Sequence, residues 1–275
     1  MTGPLVTAAW LRAATGIIVF DASFYLPTEG KDPHALFAAG HIPGAKFFDI
    51  DAISDPGTGL PHMLPSPADF ARMVGALGVT NTARIVVYDQ RGIFSAARAW
   101  WMFRVFGHDE VAVLDGGLPA WIEAGGELET GEPAPAHPCV FTAAFRPDMV
   151  RSLDQMKANL ATGAAIVLDA RAAGRFNGAV PEPRAGMKSG HIPGARSLPF
   201  GEVLDNQKMR APDDLRARFA QAGIDGGTPV ITSCGSGVTA AVLSLAMVVA
   251  GLPEAPIYDG SWSEWGSRDD TPVEV

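Results

Sequence analysis

Short uncharged runs alternate with longer amphipathic stretches along the chain, and the two periods predict strands and helices in turn. In the first half "GIIVFDA", "ARIVVYD" and "VAVLDGG" read as strands, and "PADFARMVGALG" and "SAARAWWMFRVFG" as helices. In the second half "AAIVLDA", "TPVITSC" and "APIYDGS" read as strands, with "PDDLRARFAQAG" and "VTAAVLSLAMVVAGL" as helices in the same order. Strands so uniformly apolar need helices on both faces, which predicts an α/β fold with mainly parallel sheets flanked by helices. "VTAAWLRAATG" near the start has helical spacing.

The order is the same because the chain repeats itself. "VFDAS" (19–23) recurs as "VLDAR" (167–171), "GHIPGA" (40–45) as an identical copy (190–195), and "LDGGLPAW" (114–121) as "YDGSWSEW" (258–265), at offsets of 148, 150 and 144. Ordered matches across most of a chain mark duplication. Two tandem domains follow, 1–125 and 146–275, joined by a linker over 126–145 that is rich in Gly, Pro and Glu.

Composition narrows the partners. A net charge of -9 argues against nucleic acid or an anionic membrane surface, both of which attract basic proteins. No apolar run reaches the roughly 18 to 20 residues of a membrane span. The opening "MTGPLVTAAWLRAATG" has no basic start and no long apolar centre, so nothing directs the chain out of the cytoplasm. Two cysteines outside any C-x-x-C or Cys/His array exclude a metal or disulfide framework, and no motif for a metal or nucleotide cofactor is present.

Cys234 stands apart from Cys139. In parallel sheets, ligands bind beyond the carboxyl ends of the strands, and Cys234 ends the strand "TPVITSC" at that edge. Gly235, Ser236 and Gly237 can turn successive N–H groups inward, and with Val238 and Thr239 they form a cradle ahead of the next helix. Such a cradle suits a thiolate nucleophile. Cys139, in "HPCVF" beside the linker, has no such surroundings and reads as inert. Setting Ala96 against Ala240 places Gln90 opposite Cys234, which leaves one active site per chain and a vestigial loop at Asp89 and Gln90.

Cysteine phosphatases and sulfur transferases both use this kind of loop. A phosphatase needs an arginine six positions after the cysteine, and that position is Ala240. The loop carries no charged side chain, so it suits a small group such as the outer sulfur of a persulfide.

"CGSGVTA", the paired "GHIPG" motifs and the "DGG" and "DGS" turns before tryptophans together resemble the two-domain rhodanese superfamily, specifically its mercaptopyruvate-using members, over almost the whole chain. The resemblance implies sulfur transfer from mercaptopyruvate through a persulfide on Cys234 to cyanide, a thiol or thioredoxin, with no cofactor, in a monomer. "GRF…EPR" maps the substrate-binding arginines onto Arg175 and Arg184, while Arg171 and Lys188 read as fold support. Arginine binds a planar carboxylate as a bidentate fork. The segment 47–65 resembles the loop that supplies a serine, histidine and aspartate relay, with Ser236 served by His62 as base and Asp51 as its orienting group. His41 and His191 occur in both copies and read as structural turn residues, and Trp100, Trp101, Trp121 and Trp265 as core. A thiosulfate-preferring enzyme and a non-catalytic persulfide carrier are the alternatives.

Overall fold

The computed structural model describes residues 3–133 and 135–275. It divides into two units, Met1–Asp55 with Leu64–Arg146 and Asn206–Met209, and Pro56–Met63 with Pro147–Asp205 and Arg210–Val275. Each half of the sequence thus contributes a short segment to the packing of the other.

In the first unit β1 (Leu5–Val6), α1 (Ala8–Ala13), β2 (Ile17–Asp21), α2 (Pro33–Ala39), β3 (Lys46–Phe47), α3 (Pro67–Ala76), β4 (Arg84–Tyr88), α4 (Ala96–Val105), β5 (Val111–Leu114) and α5 (Gly117–Glu123) follow one another. The sheet order is β1-β5-β4-β2-β3, parallel throughout. β4 shows why both faces are covered. Val86 and Tyr88 join a buried cluster with Phe37, Leu114, Leu118 and Trp121, and the pleat sends Ile85 and Val87 to the opposite face, where they are equally buried. The rings of Phe20, Phe48, Phe70, Phe103 and Phe106 pack on one another at centroid separations of 4.1–6.1 Å. Ser66 caps α3 by accepting the Asp69 N–H, and Pro67 opens its first turn.

The second unit repeats the plan with β6 (Val150–Arg151), α6 (Leu153–Thr162), β7 (Ile166–Asp169), α7 (Ala173–Phe176), β8 (Arg196–Ser197), the short β9 (Leu204–Asp205), α8 (Pro212–Gln221), β11 (Val230–Ser233), α9 (Ala240–Val249), β12 (Ile257–Tyr258) and α10 (Ser261–Trp265); β10 (Lys208–Met209) packs with the first unit. Its sheet order is β6-β12-β11-β7-β8, again parallel. The two orders are the same once the repeats are matched.

The described residues of the stretch 126–145 pack against the first unit as a strap. The Cys139 N–H donates to Gly75 C=O (2.8 Å) and the Ala144 N–H to Phe106 C=O (2.9 Å), and Phe141 is buried. A Cβ on Gly75 would lie 2.5 Å from the Cys139 oxygen, so only glycine lets the strap approach. The "GHIPGA" motifs also hold straps. His41 exchanges two backbone hydrogen bonds with Glu129, and His191 does so with Glu274. In both copies the glutamate carboxylate accepts a glycine N–H, from Gly44 or Gly194. Each histidine Nδ1–H donates to a phenylalanine carbonyl, Phe37 or Phe176, and its ring stacks on that residue. These contacts give both histidines a turn-forming job.

Candidate active site

β11 ends at Ser233 and α9 begins at Ala240, so the turn carrying Cys234 lies beyond the carboxyl edge of the sheet. Among the described residues, no protein acceptor takes the N–H groups of Gly235, Ser236, Gly237, Val238 or Thr239. Gly237 has φ +78°, the left-handed conformation that glycine adopts without strain. Free amides ahead of a helix N-terminus make a cradle for a partial or full negative charge. Cys234 itself is only 2% exposed, more enclosed than an open nucleophile would be. The unspent amides and a neighbouring guanidinium set it apart from an inert core thiol. Cys139 is exposed, its Sγ 3.5 Å from the His137 carbonyl.

That guanidinium belongs to Arg175. A Cβ built on Gly235 would lie 3.1 Å from Arg175 Nη2, so the missing side chain makes room for the cation against the turn. Arg175 Nε and Nη2 both donate to Glu182, whose side chain is 2% exposed. Glu182 also accepts from Arg171 Nη1 (2.8 Å). Arg171 is fully buried, forks onto Asp169, donates to the Gly190 carbonyl and stands 4.3 Å over the Trp262 ring. Its bonds are thus all structural, while Arg175 keeps Nη1 for another partner. Lys188 Nζ donates to the Arg268 and Thr271 carbonyls, which also ties it to the fold. Arg184 is half-buried two residues beyond Glu182 on the same loop.

Ser236 and His62 come together: Oγ and Nδ1 share a hydrogen bond of 2.8 Å, and both residues are buried. The link exists because residues 56–63 pack with the second unit. His62 has φ +61°, a conformation uncommon for a residue with a side chain and frequent at functional sites. Asp51 lies in the first unit with an exposed side chain, its N–H donating to Asp49 Oδ1 (3.0 Å).

Three residues at the turn were not legible as site residues. Ser261 Oγ accepts the Cys234 N–H (3.2 Å) and donates to the Tyr258 carbonyl (2.8 Å). Ser263 donates its N–H and Oγ to the Gly235 carbonyl. Glu182 holds Arg175. The signal for Ser261 lay in the repeat itself, where "DGG" of one copy becomes "DGS" in the other. Ser261 has φ +49°, which costs a non-glycine residue about 1 kcal/mol.

The register corrects the match between the two loops. Asp21 pairs with Tyr88, and its repeat counterpart Asp169 pairs with Ser233. The residue after each strand is therefore Asp89 in one unit and Cys234 in the other, and Gln90 is not the counterpart of Cys234. The first loop is one residue longer, so counting back from the helix shifts the alignment. Asp89 Oδ1 accepts the Arg91 N–H and its Oδ2 those of Phe94 and Ala96, at 2.8–2.9 Å. The first cradle is thus filled by the protein's own carboxylate. Burial pushes Asp89 up to about 6 despite those three donors. Gln90 donates instead to Asp21.

Residues 7–124 and 152–268 match the model of the rhodanese-like domain. The chain is 44% identical to the 3-mercaptopyruvate sulfurtransferase of Escherichia coli K12, covering 94% of this chain and 92% of that one. It is 43% identical to the mitochondrial thiosulfate/3-mercaptopyruvate sulfurtransferase 1 of Arabidopsis thaliana, over 98% of this chain and 78% of the relative. The crystal structure of SseA from Escherichia coli, described as having the rhodanese fold, superposes with a TM-score of 0.86 at 40% identity, over 95% of this chain and 99% of that one.

Proposed function

Because the chain belongs to the rhodanese-like family, with two copies of the domain in tandem, we propose that Cys234 is the residue through which it passes sulfur. The protein is an enzyme, a sulfurtransferase that moves the sulfur of 3-mercaptopyruvate to a thiophilic acceptor and releases pyruvate. The domain limits we adopt are 1–125 and 146–275, with the strap 126–145 between them.

In the first half-reaction the Cys234 thiolate attacks the substrate sulfur. The carbon–sulfur bond breaks, its electron pair leaves with the three-carbon fragment as an enolate, and Cys234 becomes a persulfide. The enolate takes a proton through Ser236, with His62 supplying it, and departs as pyruvate. Asp51 is assigned to orient His62. In the second half-reaction the acceptor, a cyanide ion or a thiolate, attacks the outer sulfur and the thiolate of Cys234 returns. The amides of Gly235, Ser236, Gly237, Val238 and Thr239 hold the transferred sulfur while it carries charge. Arg175 and Arg184 bind the substrate carboxylate, Arg175 through the edge that Glu182 leaves free.

The observation that carries the enzymatic reading is the buried hydrogen bond between His62 and Ser236. A passive sulfur carrier has no use for a proton relay two residues from its cysteine. Cys234→Ser is expected to abolish pyruvate release and the persulfide adduct of about 32 Da in the intact mass. Retained turnover would remove Cys234 from the mechanism. A preference for thiosulfate is the second reading, supported by the double name of the plant relative. Comparing the two donors in one cyanide assay decides it.

Thioredoxin is the protein acceptor we assign, acting on a monomer in the cytoplasm; the plant relative is named as mitochondrial. No helix among the described residues is long and apolar enough to cross a membrane. Turnover with reduced thioredoxin, sedimentation and cell fractionation check these three assignments.

A further inference from the structure

The first turn of α10 grips the Cys234 loop from one side. The Trp262 N–H donates to the Cys234 carbonyl (2.9 Å), and the Ser263 N–H and Oγ donate to the Gly235 carbonyl (2.8 and 2.7 Å). In a trans peptide the N–H points opposite to the preceding carbonyl, and no cis bond occurs among the described residues. Pinning the Cys234 and Gly235 carbonyls toward α10 therefore turns the N–H groups of Gly235 and Ser236 away from α10, into the cradle. The peptide that leads into Cys234 has its Ser233 carbonyl held by the Ala170 N–H (2.8 Å), which leaves the Cys234 N–H to be satisfied. Its partner is Ser261 Oγ.

The other repeat shows what the turn needs sterically. Gly117 occupies the Ser261 position with φ +54°, and a Cβ there would lie 2.3 Å from the Asp89 oxygen. Glycine suffices for that backbone. Ser261 holds the same left-handed conformation with a side chain, is fully buried, and spends its hydroxyl between the Cys234 N–H and the Tyr258 carbonyl.

We propose that Ser261 is a positioning residue for sulfur transfer, its hydroxyl holding the Cys234 N–H and so, together with Ala170 on the Ser233 carbonyl, fixing the direction in which the nucleophilic sulfur is presented. The inference rests on the sulfurtransferase reading of Cys234. Without the hydroxyl, the buried Cys234 N–H loses its acceptor and the peptide keeps only the Ala170 bond on its carbonyl. Loss of one such bond corresponds to a rate effect of about ten- to a hundredfold.

The test uses the full-length protein with Ser261→Gly and Ser261→Ala. Measured are kcat and KM for mercaptopyruvate with cyanide, the thermal midpoint, and the rate at which iodoacetamide alkylates Cys234, mapped by peptide mass to separate it from Cys139. Ser261→Gly removes the hydroxyl while relieving the left-handed strain, so its thermal midpoint is expected within about 3 °C of the parent. Its kcat is expected to fall at least about tenfold, KM to stay within about twofold, and Cys234 alkylation to slow in parallel. Ser261→Ala is expected to show the same kinetic loss with a lower thermal midpoint. Parental kcat and alkylation in Ser261→Gly would overturn the proposal. So would failure of Ser261→Gly to fold, since the hydroxyl would then serve the fold. If the parent releases no pyruvate from mercaptopyruvate, the donor assignment fails, and the alkylation arm still decides the role of Ser261.

Discussion

Glu182→Gln removes one charge from between two guanidinium groups without changing the shape of the side chain. Glu182 is 2% exposed, Arg171 is fully buried and Arg175 is 22% exposed, so solvent replaces little of what is lost. Breaking a buried ion pair by neutralising one partner costs about 3–5 kcal/mol. Arg171 keeps Asp169 and the Gly190 carbonyl, which places the expected loss at the lower end, about 3 kcal/mol. With a urea dependence of about 2 kcal/mol per molar, the midpoint should fall by about 1.5 M. Urea titration followed by tryptophan fluorescence reads it, with Trp262 beneath Arg171 as the local reporter. The kinetic arm is separate. An Arg175 no longer held at Nε and Nη2 should raise KM for mercaptopyruvate about tenfold, equivalent to about 1.4 kcal/mol of binding. A urea midpoint within about 0.3 M of the parent together with an unchanged KM would refute the view that Glu182 both anchors the loop and aims Arg175.

Ser236→Ala should lower kcat about a hundredfold, the scale of a lost proton relay, with little change in alkylation of Cys234; steady-state kinetics with mercaptopyruvate checks it. Arg184→Ala should raise KM for mercaptopyruvate much more than for thiosulfate, which has no carboxylate, and equal effects on both donors would remove the clamp assignment. Asp89 gives a pH dependence of known sign. Its folded pKa lies above its unfolded one, so the favourable contribution of its proton is complete below about 3.8 and is lost as the pH rises to about 6. That loss amounts to about 3 kcal/mol. Asp89→Asn should flatten this part of the stability profile between pH 4 and 7, measured by urea titration at each pH.

The strands and helices of both sheet centres were legible because they are long enough to show a period. β4 and β11 occur where the apolar runs place them, and α3, α4, α8 and α9 fall inside the predicted helical stretches. The edge strands β1, β3, β6 and β8 have two residues each, too few for alternation to emerge from the background. At the site, the approach of Arg175 to Gly235 is seen only in the structure, whereas the placement of Cys234 just after a strand, with glycines following it, was readable. Ser261 was not, because a serine in a turn has many ordinary uses and only coordinates show which N–H it accepts. The misplacement of Gln90 has a similar cause: a one-residue difference in loop length is invisible when the residues after the two strands, Asp89 and Cys234, differ in kind and share no landmark. The packing of 56–63 with the second unit is a long-range contact that no local pattern encodes.

The extra residue in the Asp89 loop bears on how the two halves could ever become alike again. A point change at Asp89 to cysteine would set a thiol on a turn whose following backbone runs a residue too far and crowds Gly117. Matching the Cys234 turn therefore takes a deletion as well as a replacement. Divergence between the duplicated halves is in this sense a ratchet, held by chain length where chemistry by itself would be reversible.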